Sequence, residues 1–338
     1  MRSIRLDASI AMPTLAIEIQ TLIGSCRSAM KSRHSKSARK SARNSACHLR
    51  TAQREQRHGH LHRLAAAGAA GLLFAGIASQ AYAVEPARYS GIQQDQSLPT
   101  NAADSGYEFT IGGGVGYSPR YMGSDEYHAT PALNLALQTP FGVFVGLSGI
   151  GYRLSLPAGF FVSAALSYDG GRKDHPKGLD AGSDKLRGMG DIKGSLFTTL
   201  QAGYAIGDLA VVSVATDVAL TNRDRGNVYR FAVDSVVYQS AADSVGVGAA
   251  AHFASGKYAQ TYFGVTANQS LNSGYRQYAP GGGLYGVSLT ANWTHKFTKH
   301  WSTTVAGGVM RYTGNASKSP IVFKKTNYQV AATLDYTF

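Results

Sequence analysis

The sequence predicts an all-β protein, a transmembrane antiparallel β-barrel of about twelve strands. Three features predict it. Apolar and polar side chains alternate over segments of about ten residues. Aromatic residues gather toward the ends of those segments. The last segment ends on an aromatic residue, Phe338. Hydrocarbon offers no hydrogen-bond partners, so every backbone group must pair within a closed sheet while side chains alternate between lipid and lumen.

The terminal segment carries the pattern most cleanly. Tyr328, Val330, Ala332, Leu334, Tyr336 and Phe338 fall on one face, opposed by Gln329, Ala331, Thr333, Asp335 and Thr337. Tyr328, Val330, Leu334, Tyr336 and Phe338 are the candidate insertion signal for the barrel-assembly machinery. Residues 285–297 repeat the alternation, with Tyr285, Val287, Leu289, Ala291, Trp293 and Phe297 on the apolar side and only His295 interrupting it. Strands are expected near 107–117, 127–138, 141–148, 149–156, 159–169, 195–206, 208–219, 227–239, 243–254, 284–297, 299–312 and 327–338. With even parity both ends face the periplasm, short connections fall on that side, and long ones fall outside. Residues 258–283 are placed in an external loop, since one more strand there would break the parity. Tyr107, Tyr117, Tyr168, Tyr204, Tyr285, Phe297, Trp301 and Tyr312 are read as interfacial girdles.

A formal charge of +13 raises the question of nucleic acid. Residues 1–83 hold 13 Lys and Arg against 3 Asp and Glu, leaving 20 against 17 for residues 84–338. The basicity belongs to the leader, so no nucleic-acid partner is expected. Cys26 and Cys47 also lie there, which leaves the exported part without a disulfide or a thiolate metal site, as suits an oxidising periplasm. Within the leader, residues 57–83 read as a signal peptide. Arg57 and Arg63 precede the apolar run Leu64–Ala78, and Ala81 and Ala83 supply the small residues for cleavage before Val84. The run is shorter than the roughly 20 residues a membrane-spanning helix needs. Residues 1–56 are an anomalous basic extension, either a start placed too far upstream or an extended targeting region. Residues 84–105 read as a periplasmic linker, and 106–338 as the barrel.

Several blocks are similar to the MipA/OmpV family of outer-membrane proteins. They are Gly114-Val115-Gly116-Tyr117-Ser118-Pro119, Tyr121-Met122-Gly123-Ser124-Asp125-Glu126-Tyr127 and Leu186-Arg187-Gly188-Met189-Gly190-Asp191-Ile192. Gln260-Thr261-Tyr262-Phe263-Gly264-Val265-Thr266, Ser273-Gly274-Tyr275, Gly281-Gly282-Gly283-Leu284 and Ser319-Pro320-Ile321-Val322 follow in the family's order, so the resemblance spans nearly all of 106–338. It implies an outer-membrane barrel that, in the founding member, holds a murein-cleaving transglycosylase and a penicillin-binding synthase together. No catalytic motif comes with it.

The residues themselves offer little chemistry. Asp125 and His128 lie close in sequence and could form a hydrolytic dyad, but a loop pair of this kind is more often a solvated contact. His300 and Trp301 suit interfacial anchoring, and no histidine spacing suggests zinc. Gly112–Gly116 lacks the Lys-Ser/Thr and the helix of a phosphate loop and reads as a crowded strand. The external loop 170–193 carries mixed charges suited to solvation or lipopolysaccharide contact. Arg230, Asp234 and Asp217 lie in strands; an Arg facing lipid at the midplane costs about 2 to 4 kcal/mol, so all three are expected to point into the lumen. Neither a cofactor nor a metal is expected. Two functions stay open: a non-enzymatic scaffold, implied by the resemblance, and a narrow diffusion channel, allowed by the inward charges.

Overall fold

The structure, a computed structural model, describes residues 107–146, 149–176 and 181–338. The segments expected to be the extension, the signal peptide with Ala81 and Ala83, and the linker lie outside the described residues. Twelve strands follow one another: β1 (Glu108–Pro119), β2 (Tyr127–Gln138), β3 (Val143–Gly146), β4 (Gly149–Ser155), β5 (Phe160–Arg172), β6 (Ile192–Ile206), β7 (Ala210–Ala219), β8 (Val228–Gln239), β9 (Asp243–Ala254), β10 (Gly283–Lys296), β11 (Trp301–Tyr312) and β12 (Thr326–Thr337). Each pairs antiparallel with its successor, and β12 returns to β1 from Thr110↔Thr337 to Tyr117↔Val330, closing the ring. Closure removes the two free edges that an open sheet would present to lipid. Among the described residues no helix is long and apolar enough to cross a membrane.

Connections alternate between short and long around the ring. Residues 139–142, 156–159, 207–209, 240–242 and 297–300 form one end, and 120–126, 173–191, 220–227, 255–282 and 313–325 the other. By the general pattern of outer-membrane barrels the short turns mark the periplasmic end. Along β12, Tyr328, Val330 and Leu334 are exposed while Asn327, Gln329 and Asp335 are buried. The same alternation exposes Phe160, Val162, Leu166 and Tyr168 on β5 and buries Phe161, Ala165, Ser167 and Asp169. The exposed set faces hydrocarbon and the buried set lines the interior.

The glycines of β1 show how closely its neighbour approaches. A Cβ on Gly114 would stand 1.8 Å from the Ala332 carbonyl oxygen, whereas one on Gly113 meets nothing within 4 Å. Gly112 faces Asp335, whose buried carboxylate accepts from Asn134 Nδ2 (3.0 Å), Thr304 Oγ1 (2.9 Å) and Thr333 Oγ1 (3.1 Å). At Gly112 the Asp335 side chain occupies the space that a larger residue would need, and at Gly114 the main chain of β12 does.

Two expectations about aromatic residues are corrected. Tyr285 and Tyr312, read from sequence as girdle residues, are only 3% and 4% exposed and point inward. For Tyr285 the cause is a register shift between Leu284 and Gly286 in the β9–β10 ladder, which re-aims one side chain at the end of an otherwise regular alternation. Tyr312 falls opposite Gly286, on the inward register of β11. Tyr107, Tyr117, Tyr168, Tyr204, Phe297 and Trp301 remain exposed on the outer wall.

The β3–β4 hairpin is shorter than expected, with β3 covering Val143–Gly146 rather than 141–148. It pairs with β2 only at Leu137 and Gln138. Above that point the second edge of β2 has no ladder partner among the described residues. Pro131, which has no N–H to donate, lies in this stretch, where an edge strand tolerates it.

The two glycine environments give a paired test. Gly114→Val is expected to destabilise the barrel by about 1 to 3 kcal/mol through overpacking. Its folded band should convert to the unfolded band at lower temperature in detergent gels, while Gly113→Val on the lipid side leaves that temperature unchanged or raises it.

Candidate functional site

The long loops fold over the barrel mouth and pack there. Within residues 255–282, Ser255 caps a helix, α1 (Gly256–Phe263), by accepting from the Tyr258 amide at 3.3 Å. Its Tyr258, Ala259, Tyr262 and Phe263 fall on one face and are buried against Val228, Ala254, Tyr285, Met310, Tyr312 and Ala316. A second helix, α2 (Ala267–Ser273), begins with a reciprocal capping box between Thr266 and Gln269 and ends on Gly274 at φ 78°. Beside them Tyr121, Leu186, Met189, Val265 and Ile321 form a second apolar cluster joining four external loops. Hydrogen bonds lock the loops together: Tyr121 Oη donates to Ile321 O (3.2 Å), Gln269 Nε2 to Met189 O (2.7 Å), and Ser319 Oγ to Phe263 O (2.6 Å).

Beneath this cap lies a polar layer. Asp169 of β5 and Arg225 of the β7–β8 loop form an ion pair at 2.7 Å, with side chains only 7% and 8% exposed. Arg225 also donates to the Tyr262 hydroxyl, and Arg172 Nη1 donates to the Tyr262 carbonyl oxygen at 3.2 Å. His252 Nε2 and Ser288 Oγ share a hydrogen bond of 2.8 Å at positions nearly free of solvent. Arg230, Asp217, His252, Tyr258, Tyr262 and Tyr285 line a cavity of about 50 Å³ here. Arg230 and Asp217, two of the three charges expected in the lumen, thus meet in one space. Asp234 lies on β8 four residues beyond Arg230, on the same strand face.

A larger hollow of about 670 Å³ lies mainly on the outer wall, over β4 to β8, between Tyr152, Leu154, Tyr229 and Phe231 with Ala164 and Ala202 among its lining. Its apolar lining suits hydrocarbon.

The exposed charges above the cap are largely paired. Lys185 meets Asp125 at 2.7 Å, Lys173 meets Asp191 at 2.9 Å, and His175 meets Asp174 at 2.8 Å. These contacts hold the carboxyls of Asp125, Asp191 and Asp174 below the usual carboxylate range, through Lys185, Lys173 and His175 respectively, and Asp125 raises Lys185 in return. Burial raises the Tyr121 and Tyr275 hydroxyls. Asp125 and His128, considered as a dyad, are not brought together: Asp125 is taken by Lys185, and His128 sits in β2 with its Nδ1 buried and unpartnered. The sequence reading missed the grouping of Asp174, His175 and Asp191, whose ligand atoms lie within 4.8 Å of one another. The Lys173 ammonium already occupies one Asp191 oxygen.

Tyr328, Val330, Leu334 and Tyr336, expected to form the insertion signal, lie on the outer face of β12, and Phe338 follows directly after it. Tyr336 packs edge-on against Trp301 (5.0 Å) and stacks with His300 (5.6 Å), and Phe338 stacks on Phe109 (5.2 Å). His295, the apparent break in the β10 alternation, is opposite Asp243 and bonds its carboxylate at 2.8 Å, beside Trp293 Nε1 at 2.9 Å. Its partner sits 52 residues away, which no local pattern discloses.

Asp169→Ala strands the buried Arg225 and is expected to cost the cap about 3 to 5 kcal/mol, read as faster proteolysis within residues 255–282. Acid should act more gently. The depressed carboxyls stabilise the folded loops above their unfolded pKa of about 3.9, and this is lost as pH falls through the lower folded values. Protection of amides in residues 120–126 and 173–191, with exchange corrected for its intrinsic pH dependence, should therefore fall below about pH 4 and stay level from pH 5 to 8. The change should be small, because these pairs are exposed.

The family model described as MltA-interacting protein MipA matches residues 111–338. No curated protein matches the chain. Among solved structures, an outer membrane channel from Pseudomonas putida F1 is similar at a TM-score of 0.38 and 13% identity, covering 72% of this chain and 100% of that one. OmpT, an outer membrane protein of Vibrio cholerae, matches at 0.30 and 10% identity over 72% and 100% of the two chains. The CymD monoaromatic hydrocarbon channel matches at 0.34 and 10% identity over 73% and 93%. The protein is an outer-membrane β-barrel, and since the match runs from within β1 to Phe338, the chain belongs to the MipA family.

Proposed function

We propose that this barrel is a non-enzymatic scaffold that gathers peptidoglycan-remodelling enzymes, a murein transglycosylase and a penicillin-binding synthase, at its periplasmic end. The observation that carries this reading is the packed cap. A mouth filled by the buried Tyr258, Tyr262, Phe263, Tyr285 and Tyr312 is poorly suited to free diffusion of solutes. The periplasmic turns, by contrast, present exposed residues, including Phe141, Leu209 and the stretch from Phe297 to His300. The family's description names an interaction with MltA, and these turns, with residues 84–105, are the surfaces that would reach such a partner.

A catalytic reading fares worse. His252 and Ser288 bond each other in the polar layer, but among the described residues no carboxylate holds the imidazole as a Ser–His–Asp triad requires. The channel reading draws on Arg230 and Asp217 beneath the cap, since inward charge suits a polar passage.

Planar bilayers and a binding column separate the readings. The intact barrel should show no steady ohmic openings, and deletion of residues 256–273 should produce them. Grafting the five periplasmic turns onto an unrelated barrel should transfer retention of a murein transglycosylase. Steady conductance by the intact protein would favour the channel, and grafts without retention would remove the turns as the docking surface.

A further inference from the structure

The cavity under α1 contains two opposite charges that do not satisfy each other. Arg230 on β8 forms no ion pair or side-chain hydrogen bond among the described residues. Asp217 on the adjacent β7 accepts from Thr199 Oγ1 at 2.6 Å through one oxygen, and its other oxygen accepts nothing among the described residues. The register sets Ala215 opposite Arg230 and Asp217 opposite Val228. The two side chains therefore stand on a diagonal of about 7 Å, and no ion pair closes between them among the described residues. The other charge pair at this level, Asp169 with Arg225, is already closed.

A third group points the same way. The Tyr285 hydroxyl is buried and completes no hydrogen bond of good geometry among the described residues, although Tyr258 lies beside it, and the residue, 3% exposed, lines the cavity. A buried hydroxyl left unpaired costs about 1 to 3 kcal/mol, so this position favours an occupant that can accept its hydrogen bond. The rings of Tyr258 and Tyr262, 4.4 Å apart, wall the space and thin out water, which strengthens charge interactions within it.

We propose that this cavity binds a small zwitterion of amino-acid type. Its carboxylate would accept a forked pair of hydrogen bonds from Arg230 and a third from Tyr285, while its ammonium would meet the uncommitted oxygen of Asp217. A simple anion would leave Asp217 unanswered, and a simple cation would leave Arg230. The volume of about 50 Å³ admits a molecule the size of a few waters, so glycine and alanine fit and phenylalanine does not. The site is independent of scaffolding at the periplasmic turns.

The test uses the full barrel folded in detergent micelles, checked by heat-modifiable migration, and ¹³C-labelled glycine followed by NMR titration. Glycine and alanine should bind saturably. N-acetylglycine, which lacks the ammonium, ethylamine, which lacks the carboxylate, and phenylalanine should each bind at least tenfold more weakly. Arg230→Gln and Asp217→Asn should weaken glycine at least tenfold, and Tyr285→Phe severalfold. The ligand series needs no variant, so a variant that fails to fold leaves the test intact. No saturable glycine binding to the folded wild type would overturn the proposal, because the cavity then holds water only. Equal binding of N-acetylglycine or ethylamine would overturn it in favour of a single-charge site.

Discussion

A peptide group in hydrocarbon has nothing to bond to except another peptide group, and the rest of this structure follows from that demand. It forces the sheet to close through β12 and β1. Closure in turn assigns every side chain to one of two solvents by its parity along the strand. The apolar set, such as Val330 and Leu334, meets lipid, and the polar set, such as Gln329 and Asp335, is turned toward an interior where it must find partners. Asp335 finds three donors from β2, β11 and its own strand. Gly112 of β1 is the counterpart of that crowding.

The cap is a second fold built on the first. The ring fixes where the loops start and end, and the loops then bury an aromatic core of their own, as a soluble domain does. The barrel supplies part of that core through Tyr285, Met310 and Tyr312, whose inward register carries them up into the loop layer. The Asp169–Arg225 pair sits at the junction, joining the top of a strand to a loop. Stability of the mouth is thus tied to the wall.

Much of the wall was legible in the sequence because its signal is local. Parity along ten residues needs no knowledge of distant chain, and the terminal strand shows it plainly. What was not legible is what parity alone does not carry. The Leu284/Gly286 irregularity shifts Tyr285 from one solvent to the other without disturbing the residues after it. His295 and Asp243, or Asp169 and Arg225, meet only because the ring brings distant strands together. The helices α1 and α2 did leave a trace, since Thr266 with Gln269 three residues on, and Gly274 after the last turn, are ordinary helix punctuation. Parity counting set that stretch aside as loop. Arg230 and Asp217 were singled out for the cost of facing lipid, but nothing in the sequence said they would share one small space.

The shortness of the β3–β4 hairpin makes the hoop uneven around its circumference. Among the described residues the seam between β2 and β3 is held by two residue pairs, where the neighbouring seam between β1 and β2 has twelve. A ring of linked staves parts where its joint is shallowest, and here that place is fixed by geometry and signed by Pro131. Any rearrangement that must break the circle meets its lowest resistance along this line, leaving the ten-strand arc from β5 through β12 and β1 to β2 intact.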